Sequence, residues 1–319
     1  MKNYLTLGQN DVKKAAKSLK DGQLVVFPTE TVYGLGADAT NQRAVARVYE
    51  LKARPQDHPL IVHIASVDQL FDWAIDIPNY AEKLAEKFWP GPMTLILKKS
   101  EIAKDFVTGS QATIGVRIPS HPMAQSLLIE FNRLGGLGIA APSVNKFGEV
   151  SATTKEMIDI EIANLLTNKD LVLDGGKSSI GIESTIIDCS NKIPTILRPG
   201  WITEEMITKF LDFKIIDLKY KSSMKHSGSF QSHYKPKCKI TLGQEPQIGD
   251  GMFALSKFKT PPGVIRLGAP RTVEEFARNM YLALSLADRK KIKDIHIIPP
   301  EGKGLAEAIR DRLKKASHT

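Results

Sequence analysis

Basic side chains sit beside prolines and glycines at several points where the chain is expected to leave a helix or a strand. Lys52-Ala53-Arg54-Pro55 closes a helical pattern, with His58 and His63 beyond it. Arg117 ends an alternating apolar run, and Arg198 precedes Pro199-Gly200. A guanidinium is a planar, permanently charged fork that grips phosphate or carboxylate oxygens bidentately. Two arginines and a lysine meeting in one cleft would suit a triphosphate. Between these cations lie short segments rich in hydroxyls: Phe27-Pro28-Thr29-Glu30-Thr31-Val32-Tyr33-Gly34-Leu35, Ala141-Pro142-Ser143-Val144-Asn145 and Gly181-Ile182-Glu183-Ser184-Thr185. Loops at the strand ends of α/β sheets are where ligands bind. Each piece also has a plainer reading. Thr29 or Thr31 would serve as a helix cap in an ordinary βα loop, and the macrodipole favours Lys and Arg in any last helical turn. The conjunction of the pieces is what points to an anion-binding pocket.

The elements that must position these groups alternate along the chain. Val12, Ala15, Ala16 and Leu19 recur at helical spacing until Asp21-Gly22. Leu24 to Phe27 reads as a buried strand, Pro28 to Asp38 as a polar loop, and Ala44, Val45, Val48 and Leu51 as a second helix. Strands follow at Leu60–Ile64, Met93–Leu97 after the break Trp89-Pro90-Gly91-Pro92, Thr113–Ile118, Leu137–Ala141, Leu171–Leu173 and Thr185–Ile187. Met206, Ile207, Phe210 and Leu211 mark a helix. Seven lysines and one aspartate between Lys214 and Ile240, with many serines, read as a flexible basic linker. A smaller α/β unit then shows strands at Met252–Leu255, Val264–Leu267 and Ile295–Ile298. Thr272 and Glu275 form a capping-box pattern, and Leu305, Ile309 and Leu313 a closing helix. The expected division is a catalytic domain at 1–212, a linker at 213–238 and a small α/β domain at 239–319.

Several chemistries are excluded. There is no GxxxxGK[ST] and no GxSxG. Gly136, Gly138 and Ala141 satisfy a dinucleotide pattern but enter a strand instead of leaving one. Gly302 and Gly304 lack a third glycine and read as helix start-up. Cys189 and Cys238 can build neither a CxxC pair nor a zinc cage, and no protein-held metal is expected. The 319 residues are 42% hydrophobic and 25% charged, a globular composition, with 44 Lys and Arg against 35 Asp and Glu for a net +9. That balance favours anionic partners. Absence of an apolar leader or a membrane-length run, with few cysteines, leads us to expect a cytoplasmic protein with no membrane partner.

In their order, the segments Phe27–Leu35, Lys52–Ile64, Trp89–Pro92, Val116-Arg117-Ile118-Pro119, Ala141–Asn145, Gly181–Ile186 and Leu197–Gly200 resemble the threonylcarbamoyl-AMP synthase family, in its long form with a C-terminal domain. The resemblance implies an α/β fold: a YrdC-like twisted open mixed sheet with flanking helices, plus a smaller Rossmann-like α/β C-terminal domain. It implies that L-threonine, bicarbonate and ATP, with Mg²⁺ accompanying the ATP, give threonylcarbamoyl-AMP and pyrophosphate. Downstream proteins then transfer the threonylcarbamoyl group to a tRNA adenosine. By the same similarity, Lys52 and Arg54 are the catalytic basic pair. Threonine falls to Thr31, His63, Arg117, the backbone at Ala141, and Ser184. ATP falls to Arg54, His58, Thr113, Ser143, Ser151, Arg198 and Tyr234, with the linker acting as a lid. Two rivals remain. Hydrogenase-maturation carbamoyltransferases share the catalytic fold but need zinc fingers that two cysteines cannot build. A non-catalytic RNA-binding module with a basic concave face would suit the net charge, though only 7% of residues are aromatic; weak RNA binding is compatible with either.

Overall fold

The computed structural model describes residues 5–211, 228 and 233–317. Among them, eleven strands form one mixed sheet and four parallel strands a second. The first sheet runs in the order Leu5–Leu7, Leu171–Leu173, Val25–Phe27, Gly34–Asp38, Ile139–Ala140, Ile61–His63, Thr113–Arg117, Met93–Lys99, Thr185–Asp188 and Thr195–Arg198. Ala74–Ile75 adds to the Met93–Lys99 strand. Register decides what this sheet can present. His63 pairs with Arg117, Leu95 with Val116, Thr185 with Met93, and Arg198 with Ile186. His63, Arg117, Thr94, Ser184 and Arg198 therefore gather at the same end of five neighbouring strands.

The expected polar loop at 28–38 is shorter than the sequence suggested. Gly34–Asp38 is a strand, antiparallel to Val25–Phe27 and wholly buried. Gly-Leu-Gly-Ala-Asp has little β propensity of its own, so tertiary packing overrides it. A Cβ on Gly36 would come within 2.8 Å of Ile139 Cγ2 and 2.9 Å of the Phe27 ring. The absence of a side chain lets three strands lie that close.

Helices cover the sheet for readable reasons. Val12–Lys20 buries Val12, Ala15, Ala16 and Leu19 against Met123, Ala124, Leu127, Leu128 and Phe131 of Pro122–Arg133. The latter helix starts with Pro122, its cap being His121, whose ring nitrogen accepts from Met123 N. Gln42–Lys52 is capped by Asn41 Oδ1, which accepts from Arg43 N and Ala44 N at 3.1 Å each. It ends on Ala53 in the left-handed conformation, φ 50°, where Arg54 N donates to Tyr49 O. That sharp stop carries Arg54 away from the helix axis.

The second sheet, in the order Lys239–Leu242, Asp294–Ile297, Gly251–Phe253 and Ile265–Gly268, is flanked by Val273–Arg289 and Leu305–Ser317. Only half of the expected capping box forms at Thr272. Its hydroxyl accepts from Glu275 N, while Glu275 itself accepts from Arg271 N. Most of the expected linker, 212–227 and 229–232, lies outside the described residues. Its last part is not the solvated tether expected, since His233, Tyr234, Pro236 and Cys238 are buried. One apolar cluster runs from Val26 and Val62 through Tyr234 to Phe253, Tyr281 and Ile309, so the two sheets share a core. No helix among the described residues is long and apolar enough to cross a membrane. Gly36→Ala is expected to cost about 1–3 kcal/mol through overpacking and to lower the thermal midpoint by several degrees; an unchanged midpoint would refute the close-approach account.

Candidate active site

A cavity opens where the strand ends and the 28–33 and 141–145 segments meet. Its wall includes Thr31, Arg54, His63, Arg117, Ala141, Ser143, Ser184, Arg198 and Tyr234. These stretches are far apart in the chain, and the register of the sheet brings them together.

One side is organised by Arg117. Its Nη2 donates to Glu30 Oε1 at 2.6 Å, Nη1 to Thr31 Oγ1 at 3.0 Å and Nε to Gly91 O at 3.2 Å. Both side chains of the ion pair are buried. One N–H on each terminal nitrogen is left over from these bonds, which is the pair a carboxylate ligand would take. Thr31 is held in turn by Thr29, whose hydroxyl lies 2.8 Å away and donates to Val32 O. Beside Arg117 in register, His63 is buried with its Nδ1 unpartnered. Burial, and then the Arg117 charge, push its pKa down to about 3, so the imidazole is neutral.

The other side is more strongly cationic. Arg54 donates from Nη2 to Pro59 O at 2.9 Å and from Nε to His58 O at 3.3 Å, with the Phe147 ring 5.7 Å away. Burial lowers its pKa to about 10, still far above neutrality. Arg198 donates from Nε to Ser184 O at 3.0 Å and from Nη2 to Ser184 Oγ at 3.1 Å. Ser184 Oγ also lies 2.8 Å from Thr94 Oγ1. Each guanidinium thus leans on carbonyls or a hydroxyl that fix its plane.

Four expected residues are not in the wall. Lys52, read as half of a catalytic pair, is buried behind it, and its Nζ donates to Ser143 O at 2.6 Å and to Asn145 O. The helix stops before Arg54 turns, so Lys52 faces the backbone of 141–145 and supports that segment. Thr113 pairs with Lys98, at the opposite end of its strand from Arg117. Five residues at ~3.3 Å each separate the two ends by more than 10 Å. His58 is buried with its ring edge-on to Phe147 at 5.9 Å. Ser151 lies one shell behind, donating to Glu183 Oε1 at 2.6 Å.

Glu183 and His233 line the cavity although the sequence did not single them out. Glu183 Oε2 accepts from Tyr281 OH at 2.9 Å and from Arg312 Nε at 3.0 Å, both in the C-terminal unit. Burial alone would raise its pKa, but Arg312, Arg198 and the Ser151 hydroxyl outweigh burial and lower it, keeping a carboxylate. Tyr234 adopts φ 64°, stacks on Tyr281 at 5.6 Å and lies against His233 at 4.1 Å. Gly228, at φ 81°, could not carry a Cβ, which would lie 2.5 Å from the Tyr234 hydroxyl. A readable signal for Arg312 does exist: it shares a helix face with Leu305, Ile309 and Ala316, where an unpaired charge would be costly.

The fold and the pocket mark a two-domain α/β enzyme of the YrdC-like class. Residues 17–200 match the Sua5/YciO/YrdC family model, described as "Telomere recombination", and residues 202–318 match "Threonylcarbamoyl-AMP synthase, C-terminal domain". The threonylcarbamoyl-AMP synthase of Pyrococcus abyssi is 39% identical over 96% of this chain and 94% of its own, and that of Bacillus subtilis 36% identical over 98% and 94%. The crystal structure of P. abyssi Sua5 complexed with L-threonine superposes with a TM-score of 0.88 at 36% identity, covering 98% of this chain and 97% of that one. The chain belongs to the threonylcarbamoyl-AMP synthase family.

The two buried histidines have a pH consequence. In the folded chain His63 and His233 have pKa values near 3, against 6.5 for an ordinary imidazole. Below pH 6.5 the unfolded chain takes up protons that the folded chain does not, so stability is full above 6.5 and falls as pH drops towards 3. Urea midpoints should decline across that window, with a shallower decline for His63→Gln. A flat profile from pH 6.5 to 4 would count against neutral, buried imidazoles.

Proposed function

We propose that this chain condenses L-threonine, bicarbonate and ATP into threonylcarbamoyl-AMP, releasing pyrophosphate, and so supplies the activated group for threonylcarbamoyl modification of a tRNA adenosine by downstream proteins in the cytoplasm. The observation that carries the reading is the convergence of Thr31, Arg54, Arg117 and Arg198 on one cavity. The relative solved with L-threonine supports an amino acid as one occupant.

The chemistry asks for positioning more than for a protein nucleophile. The neutral amine of threonine attacks the carbon of bicarbonate, and hydroxide with a proton leaves as water. A carbamate oxygen then attacks the α-phosphorus of ATP, the bond to the bridging oxygen breaks, and pyrophosphate departs with the electron pair. Arg117 takes the threonine carboxylate with its remaining N–H groups, Thr31 and Ser184 meet the polar end, and the Ala141 backbone closes that side. Neutral His63 lies beside the amine without adding positive charge, which favours the unprotonated amine. Arg54 and Arg198, with Ser143 and Tyr234, receive the nucleotide and neutralise charge as pyrophosphate forms. Lys52, His58 and Ser151 act from behind by holding wall segments. Thr113 would reach a nucleotide only beyond the cavity described.

Mg²⁺ enters this scheme as part of the nucleotide substrate. Among the described residues no group of three or more His, Cys, Asp or Glu is arranged to hold a metal. Glu183, the carboxylate on the wall, is already engaged by Ser151, Tyr281 and Arg312.

Incubation with ATP, bicarbonate and single amino acids should yield a mixed anhydride of threonine, detected by mass, together with pyrophosphate. Arg54→Ala should slow pyrophosphate release on the order of 10²-fold or more, as loss of a transition-state charge partner does. Near-wild-type release from that variant removes the phosphate role of Arg54. Steeply salt-dependent RNA binding without any threonine-dependent pyrophosphate would favour the non-catalytic RNA module instead.

A further inference from the structure

Arg312 and Tyr281 take no direct part in the proposed chemistry, yet both are fully buried and bond across from the second unit to Glu183. Arg312 is wholly inaccessible, on the closing helix Leu305–Ser317. Its Nε reaches Glu183 Oε2 at 3.0 Å, its Nη1 reaches Asp311 Oδ2 at 2.7 Å, and its guanidinium lies 5.7 Å from the centre of the Tyr234 ring. Tyr281, equally buried on Val273–Arg289, donates to the same Glu183 oxygen and stacks on the same Tyr234 ring. Glu183 precedes Ser184, which carries two of the hydrogen bonds that orient Arg198. Its other oxygen anchors Ser151.

We infer that Arg312 and Tyr281 are positioning residues for the catalytic cavity, acting through Glu183 and Tyr234 on the side of the pocket that receives the nucleotide. The inference rests on the proposed function and gives the C-terminal unit a part in it. Stability alone is a poor explanation for the arrangement. A buried ion pair gains little over apolar side chains of the same volume, because both charges must be stripped of water. The surrounding face is otherwise filled by Ile309, Leu313 and Ala316, and an apolar residue at 312 would have continued it. What a guanidinium adds is direction. Its fork sets the carboxylate plane of Glu183, and through the Glu183–Ser184 backbone that plane bears on where Arg198 points. The tyrosine hydroxyl fixes the same oxygen from a second helix, so the wall is located by two elements of the other sheet.

The test compares wild type with Arg312→Met, Arg312→Lys, Tyr281→Phe and the double variant Glu183→Gln/Arg312→Met. Pyrophosphate release is measured over ranges of ATP and of threonine, with thermal melting to report the folded fraction. The expected result is a rise in KM for ATP of about tenfold in Arg312→Met, in the range of coupled contacts. A smaller rise is expected in Tyr281→Phe, partial recovery in Arg312→Lys, and KM for threonine near wild type throughout. The double variant should be no worse than Arg312→Met alone, since both changes break the same link. A purely structural role predicts the opposite: unchanged KM for both substrates, with apparent kcat falling only in step with the folded fraction. That result overturns the inference. Tyr281→Phe removes one hydroxyl and keeps the ring, so it decides the matter if Arg312→Met does not fold. Calorimetry of ATP binding needs no turnover and separates nucleotide recognition from the positioning role. Wild type that binds and reacts, with variants equal to it, sinks the positioning role alone. Wild type that neither binds ATP nor releases pyrophosphate sinks the functional reading and this inference together.

Discussion

Three guanidinium groups face one largely buried space, and the rest of the architecture answers that constraint. Like charges in a poorly solvated pocket repel and lose hydration, so each must be held by acceptors that do not neutralise it completely. Arg54 leans on the carbonyls of His58 and Pro59, Arg198 on Ser184, and Arg117 on Glu30, Thr31 and Gly91. These carbonyl and hydroxyl partners fix the planes of Arg54 and Arg198. Arg117 has the Glu30 carboxylate directly on it.

The sheet order serves the same end. A parallel strand, an antiparallel neighbour and a second parallel pairing turn the ends of Ile61–His63, Thr113–Arg117, Met93–Lys99 and Thr185–Asp188 to one side. Segments rich in proline and glycine then cross that side as irregular backbone. Their amides are satisfied by one another, as in Tyr33 N to Ala152 O and Val144 N to Tyr33 O. Lys52 belongs to this framework, because its ammonium gathers the Ser143 and Asn145 carbonyls of the 141–145 segment.

Much of this is legible in the sequence. Helical spacing at Val12–Leu19 and alternation at Ile114–Ile118 reflect local periodicity, which packing here reinforces. The wall residues Arg117 and Arg198 close strands, and Arg54 and Ser143 follow a helix and a strand, at ends that punctuation residues mark. Illegible parts depend on what lies across space. Gly34–Asp38 has the composition of a loop and becomes a strand because Phe27 and Ile139 leave room for nothing larger at Gly36. Thr113 and Arg117 occupy one strand, and only the register says which end is open. The Glu183–Arg312 pair spans 129 positions and two sheets, and neither residue sits in a motif with the other.

That pair also limits how far the chain is modular. A catalytic unit severed after its own sheet would keep every cavity arginine but lose Tyr234 and leave the Glu183 carboxylate without Arg312 and the Tyr281 hydroxyl. The excised piece would need a new counter-ion, or a protonated glutamate, to hold the same shape. Swapping C-terminal units between relatives should therefore succeed only where the donor brings both a cation and a phenol to the seam.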